Sequence, residues 1–448
     1  MPDVAIRTLR RHRPQVSPLL LAALVAVIGI VWGPSFASAQ PQAPASMVQS
    51  DGHRVNESTV IVPVAGFELG FDSNVLFAGT NPKGAALMRV LAIFELMSES
   101  HSAAQLTIAA PDAAPPSSGD GQTVDFKAGL SLAGTQYLDD RERVRDQSNL
   151  GVTAHADVVA FPHARTTFFI SDNFVRDTRP QDFGDFGSLN RNLNHLKLGM
   201  RHKIGPGAIR LGLRYENKLD LFESSGLPFS DRIQHLVAAK ADWQFLPITK
   251  FYAEASGGIF TGLGQSPAGK ATSLPLRVLI GGASAITQST TVRTHIGFGK
   301  GFYSSGPEFM NVLFGAELGV RYSPFGRVTL AYRYDFYDAV IANFYRDHSV
   351  NLKLDQQFGR TVLSAAVNAR LRGYRGIPMS LGPSFRDDVI LAATGRGHYM
   401  IRDWLAAVAS VSATTAQTDY VYNPIGGFGV DDPSYARFEA SLGVRAAY

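Results

Sequence analysis

The dominant pattern in this 448-residue chain is alternation with period two. From Val124 to Leu132 the even positions are Val124, Phe126, Ala128, Leu130 and Leu132, while Asp125, Lys127, Gly129 and Ser131 lie between them. Successive side chains of a β-strand point to opposite faces, so such a segment reads as a strand with one apolar and one polar face. The pattern recurs at Ile209, Leu211, Leu213 and Tyr215 against Arg210, Gly212, Arg214 and Glu216. It returns from Met310 to Tyr322 against Asn311, Glu317 and Arg321, and at Val328 to Phe336 against Arg327, Thr329, Arg333 and Asp335. The whole chain predicts 18 strands: 60–71, 85–97, 123–138, 149–161, 164–176, 190–203, 208–220, 231–245, 250–261, 274–286, 290–302, 309–322, 327–338, 346–358, 361–373, 386–399, 404–415 and 435–448. Many are long enough to cross a bilayer while tilted, which takes about 9 to 11 residues.

The connections between these segments carry a second signal. From the fourth strand onward they alternate between tight turns (Pro162-His163, Pro247-Ile248, Gln288-Ser289, Gly359) and long polar or Gly-rich loops (179–189, 221–230, 262–273, 374–385, 416–434). Transmembrane barrels have short turns at one mouth and longer loops at the other. The Ala/Pro/Ser-rich stretch 98–122 departs from this rule and reads either as an insertion at the short-turn mouth or as a sign that the first hairpin is assigned differently, and 416–434 is a candidate for folding inward. Lipid offers no hydrogen-bond partner to the backbone, so strands can cross it only as a closed sheet. The expected fold is an all-β, transmembrane, antiparallel up-and-down barrel of 16–18 strands, 18 by direct count. Aromatics near strand ends supply candidate interfacial girdles. Phe161, Trp243, Phe245, Tyr322, Phe358, Tyr399 and Trp404 fall at the turn mouth, and Phe260, Phe302, Tyr303 and Tyr374 at the loop mouth.

Charge changes the picture only after it is located. The formal charge of +4 suggests nucleic acid, but Arg7, Arg10, Arg11 and Arg13 precede an apolar run from Leu19 to Trp32 and the small residues Ala37-Ser38-Ala39. Basic, apolar and small-residue regions in that order form a secretory signal, here with expected cleavage after Ala39 at an Ala37-x-Ala39 site. Without residues 1–39 the chain carries 38 basic and 37 acidic residues, so a nucleic-acid partner loses its support. The domain expectation is therefore a signal at 1–39, a periplasmic linker at 40–59 and a barrel from 60 to 448. With no cysteine there is no disulfide, thiolate metal site, cysteine nucleophile or lipidated N-terminal cysteine.

The last predicted strand alternates Phe438, Ala440, Leu442, Val444, Ala446 and Tyr448 with Arg437, Glu439, Ser441, Gly443 and Arg445. It resembles the C-terminal strand read by the β-barrel assembly machinery, with Tyr where Phe is usual. Phe438, Leu442, Val444 and Tyr448 are the candidate assembly signal. Near the front, Gly66-Phe67-Glu68-Leu69-Gly70-Phe71-Asp72-Ser73-Asn74-Val75-Leu76-Phe77 resembles the opening strand of the outer-membrane β-barrel porin family of Gram-negative bacteria associated with exopolysaccharide or capsule export. The resemblance implies an outer-membrane barrel and polysaccharide-export components as partners. It carries over no catalytic residue.

Parity assigns the charges to one face, where they are tolerable if that face is wet or internally paired; on the lipid face near the midplane each costs about 2 to 4 kcal/mol. The pore-lining candidates are Arg210, Arg214, Glu216, Arg293, Glu317, Arg321, Arg333, Asp335, Arg370, Arg372, Arg437 and Glu439, with Lys127, Lys240, Arg327, Lys353, Arg396 and Arg445 also on that face. The acids Asp125, Asp157, Asp220, Asp242, Glu254 and Asp355 share it. Such a wall suits a porin-like channel for polar solutes with a mild anion or sugar preference, and equally a salt-bridged barrel that conducts nothing. No residue set demands a cofactor or metal. Gly297-Phe298-Gly299-Lys300-Gly301 lacks the spacing and following Ser/Thr of a phosphate loop. A lipid-active hydrolase would need Ser230 with His235, or Ser349 with His348, near the outer rim. The expected surroundings are outer-membrane lipid and lipopolysaccharide.

Overall fold

The computed structural model describes residues 53–56, 58–98, 123–177, 190–223, 231–263, 272–339, 342–377, 383–418, 420 and 434–447. A short strand, β1 (His53–Asn56), precedes β2 (Thr59–Asp72), β3 (Ala85–Ser98), β4 (Val124–Leu138), β5 (Asn149–Ala160) and β6 (Thr166–Asp177). Then follow β7 (Arg191–Ile204), β8 (Ile209–Phe222), β9 (Arg232–Leu246), β10 (Thr249–Gly262), β11 (Ser273–Ala285) and β12 (Thr290–Tyr303). The remainder are β13 (Phe309–Ser323), β14 (Gly326–Asp338), β15 (Phe344–Phe358), β16 (Thr361–Arg375), β17 (Phe385–Arg402), β18 (Leu405–Thr418) and β19 (Tyr435–Ala447). Among the described residues one single-turn helix, α1 (Glu142–Arg145), lies between β4 and β5.

From β2 onward every strand pairs antiparallel with its neighbours in sequence, and β19 returns to pair with β2 from Glu439 opposite Asp72 to Ala447 opposite Val64. The result is a closed barrel of 18 strands, β2 to β19, matching the count from alternation. Where boundaries shift, the hydrogen-bonded ladder outlasts the alternation: β15 begins at Phe344, which pairs with Arg375, rather than at 346. Residues 53–56 were expected to be linker; they pair with the start of β2 instead. The tight turns all share one mouth. At Gly359 the two-residue turn between β15 and β16 needs a left-handed backbone (φ 54°), which glycine adopts without strain. Residues 99–122, the expected insertion, lie outside the described residues.

Outward faces are apolar, from Leu442 (70% exposed) to Val278 (57%) and Ile280 (58%). All seven expected turn-mouth girdle residues are exposed, Trp404 at 56% among them. The loop-mouth girdle is different. Phe260, Tyr303 and Tyr374 are buried, because they sit on the lumen parity and fill the inside of the barrel at that mouth.

The closing seam is heavily bonded from within. Asp72, fully buried, accepts from Arg437 (2.9 and 2.7 Å) and from the Tyr137 hydroxyl (3.0 Å). Glu68 accepts from Arg445 (2.7 Å), Arg89 (3.3 Å) and Ser441 (3.2 Å), and Arg89 continues to Glu439 (2.9 Å). The two acids of the opening motif thus bond across the join to the last strand. Below this network, toward the turn mouth, Val60, Val62, Val64, Ile93, Met97, Ala406 and Ala447 pack into a dry cluster on the lumen face. Elsewhere the wall is stiffened by rings lying on glycines of the adjacent strand. A Cβ at Gly129 or Gly315 would overlap the imidazole of His155 or His295.

Removing one member of a buried ion pair typically costs about 3 to 5 kcal/mol, because its partner stays buried and unpaired. Asp72→Ala is expected to lower stability by about that amount. Urea unfolding of the protein refolded into liposomes, followed by tryptophan fluorescence, reads the change. An unchanged midpoint contradicts the role given to the seam.

Candidate functional site

The lumen is divided. Along β2 and β3 the inward apolar side chains are almost wholly buried, and Val75, Leu87, Tyr137 and the α1 residue Val144 close the same sector at the loop mouth. On β5 to β8 the inward faces instead carry exposed polar residues: Asp157, Asn173, Arg201, Arg210 and Lys218. Side chains that point into a closed barrel and still reach solvent line water-filled space.

This wet wall is basic. The inward positions of β7 include Arg191, His195, Lys197, Arg201 and Lys203, and those of β8 Arg210, Arg214 and Lys218, against the acids Glu216 and Asp220. Near the loop mouth the arginines are paired. Asp220 bridges Arg191 and Arg232 (2.6 Å to each), and Glu216 bonds His195 and Arg214 (2.7 Å to each). Arg214 also reaches Glu254 on β10 (3.3 Å). Lys197 and Lys218 have no ion pair among the described residues; diagonal neighbours on adjacent strands, they project toward the same space.

A second feature narrows the loop mouth. The ladder between β13 and β14 stops at Phe314 and Tyr334, and the end of β14 turns inward. Phe336 lies over the lumen face of β12, on Gly299 and Gly301, and stacks on Phe309 with ring centres 4.0 Å apart. Arg277, from β11, covers the same ring at 4.4 Å, bonds the Phe336 carbonyl and meets Asp335 (3.3 Å). Ser273 donates to Asp338 (2.5 Å), and Tyr303, Leu313 and Phe344 complete the cluster. Asn343 ties the far side to the carbonyls of Ser305 and Pro307 (2.6 and 3.1 Å). An inward fold was expected of 416–434, most of which lies outside the described residues.

The twelve expected lining residues fall into three environments. Arg210, Arg214 and Glu216 lie on the wet wall. Arg293 stands opposite Glu317, Arg321 opposite Arg327, and Arg370 opposite Ser349, on the inward faces of β12 to β16. Arg333 is bonded to Tyr337, beside the Asp335 that meets Arg277. The remaining three do not face open water: Arg372 is locked to Asp347 (2.8 Å, twice) under Tyr345, and Arg437 and Glu439 belong to the seam network. Lys197, Arg201, Lys203, Lys218 and Arg277 were not among the expected residues, although strand parity alone puts them on the same face.

On the last strand Phe438, Leu442 and Val444 face outward, and Tyr448, like Ala37 and Ala39, lies outside the described residues. The hydrolase pairs do not assemble. His348 faces outward and bonds Tyr332 (2.9 Å), whereas Ser349 bonds the Arg333 carbonyl on the other side of the strand, because adjacent residues face opposite ways. His235 bonds Tyr215 (2.8 Å), and Ser230 is outside the described residues. Among the described residues no group of three His, Asp or Glu side chains is placed to hold a metal ion.

Two carboxylates above the wall are held strongly acidic. Glu223, just past β8, is bonded through both oxygens to Arg176 (2.7 Å each), which brings its carboxyl down to about 2. Asp139 sits likewise at about 2 through the side chain and backbone N–H of Arg141.

No protein-family model matches the chain, and no curated protein matches its sequence. Solved structures match the chain only at low similarity. They include the outer membrane protein OpdK of Pseudomonas aeruginosa (8% identity, TM-score 0.43, covering 87% of this chain and 99% of that one) and OccAB4 of Acinetobacter baumannii (8%, 0.43, 88% and 100%). The siderophore receptor PirA of Pseudomonas aeruginosa is a more distant match (8%, 0.35, 86% and 80%).

A carboxyl with a depressed folded pKa adds stability that is complete above its unfolded value and disappears as pH falls toward its folded value. For Glu223 that window runs from 4.5 down to about 2. Water screens this half-exposed pair, so the contribution is about 1 kcal/mol. Melting temperature measured from pH 6 to 2 is expected to fall less steeply below pH 4.5 in Glu223→Gln than in the parent; identical slopes contradict the pairing.

Proposed function

We infer that this protein is a non-enzymatic outer-membrane channel, porin-like, that lets small polar solutes cross through the β5–β10 sector of its lumen and favours anions. The observation that carries the reading is the exposure of Asp157, Arg201, Arg210 and Lys218 on the inward face of a closed barrel whose outward face is apolar. Fixed cations in a narrow, low-dielectric channel concentrate anions and speed their entry. The outer face takes lipopolysaccharide and phospholipid as its solvent, and the alternating last strand is the part offered to the assembly machinery. The opening-strand resemblance extends the reading to a place beside polysaccharide-export components.

A second reading, a barrel that conducts nothing, draws support from the packed seam sector and the inward end of β14. Planar-bilayer recording separates the two. Folded protein is expected to give discrete conductance steps, with a reversal potential in a KCl gradient on the chloride-selective side; absence of steps would sink the channel reading. Lys197→Glu with Lys218→Glu is expected to shift that potential toward the cation side. Phe336→Ala, which empties the cluster under Arg277, is expected to raise single-channel conductance, and equal conductance would show that this segment does not narrow the path.

A further inference from the structure

The wet wall is not uniform along its length. In its loop-mouth half the arginines Arg191, Arg214 and Arg232 each meet a carboxylate, as described above. In its turn-mouth half the pattern reverses. Arg165, in the turn after β5, accepts the Lys203 backbone N–H through its carbonyl (2.8 Å), and Lys203 stands directly opposite Arg210. Three neighbouring chain segments therefore set Arg165, Lys203 and Arg210 side by side on one rung. Arg201 lies one rung above, its guanidinium over the Phe169 ring at 5.3 Å. None of these four has an ion pair among the described residues. Among the described residues Asp242, across from Arg210 on β9, is the acid next to the rung, and its nearer cation is Lys240 (3.8 Å).

Like charges directly opposite in a sheet are destabilising. A row of three at one mouth, met by a single carboxylate at its β9 end, keeps an excess of positive charge that an anionic ligand would relieve. Lys203 shares the parity of Arg201 on β7, and Arg210 that of Arg214 on β8, both on the lumen face, whereas Met200, Ile209 and Leu211 are exposed to lipid; Arg165 stands one residue before β6, exposed at the same mouth. The ligand is therefore met inside the mouth rather than among the phospholipid headgroups outside it. Neighbouring strands lie about 4.8 Å apart, so the rung offers cations at that spacing.

We propose that Arg165, Lys203 and Arg210, with Arg201 above them, form a docking site at the turn mouth for a linear polyanion carrying carboxylates or phosphates about 5 Å apart. The site deepens the channel reading, on which it rests for its biological sense. It adds a second group of free cations, at the turn mouth, to Lys197 and Lys218 farther along the wall. A multivalent chain engages several cations of the rung at once, whereas a single anion engages one.

Binding can be measured whether or not the barrel conducts. Labelled oligogalacturonate, titrated against the full folded protein in zwitterionic detergent and followed by fluorescence anisotropy, is expected to bind with an affinity that falls as salt rises. Arg165→Gln with Lys203→Gln and Arg210→Gln is expected to weaken binding at least about tenfold, whereas Arg143→Gln with Arg145→Gln on α1 at the opposite mouth leaves it unchanged. Retained heat-modifiable migration in gels shows that each variant is folded. Equal loss in both variants, or none in the triple variant, overturns the proposal. Competition by galacturonate monomer at matched carboxylate concentration, as effective as the oligomer, overturns the polyanion assignment. Displacement of the oligomer by phosphatidylglycerol added to the micelles would assign the rung to lipid headgroups and overturn it as well. A barrel that binds the oligomer but shows no bilayer conductance keeps the site and loses the channel.

Discussion

Everything in this protein depends on the hydrogen bonds that join its last strand to its first. A strand in lipid has no water to satisfy its backbone, so an 18-strand sheet is tolerable there only if no edge remains. The pairing of β19 with β2 removes the edge, and the side chains reinforce the join from within. Glu68 and Asp72 come from the first strand of the barrel, Arg437 and Arg445 from the last, and Arg89 links them to the neighbouring hairpin. The charges are shielded from water and paired in one network, which makes any single loss expensive.

That reinforcement has a consequence for the rest of the lumen. Packing β2 and β3 with valine, leucine, isoleucine and methionine dries one side of the barrel and leaves β5 to β8 with inward charges in contact with water. The inward end of β14 adds a second filled region over β11 to β13. A barrel of this size would otherwise enclose a wide aqueous channel. The two filled regions confine the wet space to a sector whose wall is mostly cationic, and so turn a generic barrel into one with an electrostatic direction.

Arginine plays three different parts in this interior. Arg437 and Arg372 are structural, each locked to a buried aspartate. Arg277 acts as a strut, holding an aromatic segment against the wall through one ring face, one carbonyl and one carboxylate. Arg201 and Arg210 remain in solvent. The guanidinium suits all three parts, being planar, always charged and able to bond in several directions at once. The neighbours decide which part each one takes.

The sequence by itself determined the strands, their number, the mouth at which each turn lies and the face of each charge, because alternation and turn chemistry are local and strictly periodic. It also singled out the segment from Gly66 to Phe77, though not the reason that Glu68 and Asp72 stand in it. Only the closed structure decided that these acids would meet Arg437 and Arg445, more than 360 residues away along the chain. It also decided which inward residues would be wet. Period two separates inside from outside, but whether an inward side chain meets water, a carboxylate or a ring depends on distances across the barrel. For that reason Arg372 and Arg210 look alike along the chain and differ in the fold. Phe260, Tyr303 and Tyr374 differ from these: their parity already puts them inside, and position near a strand end alone made them look like a lipid girdle.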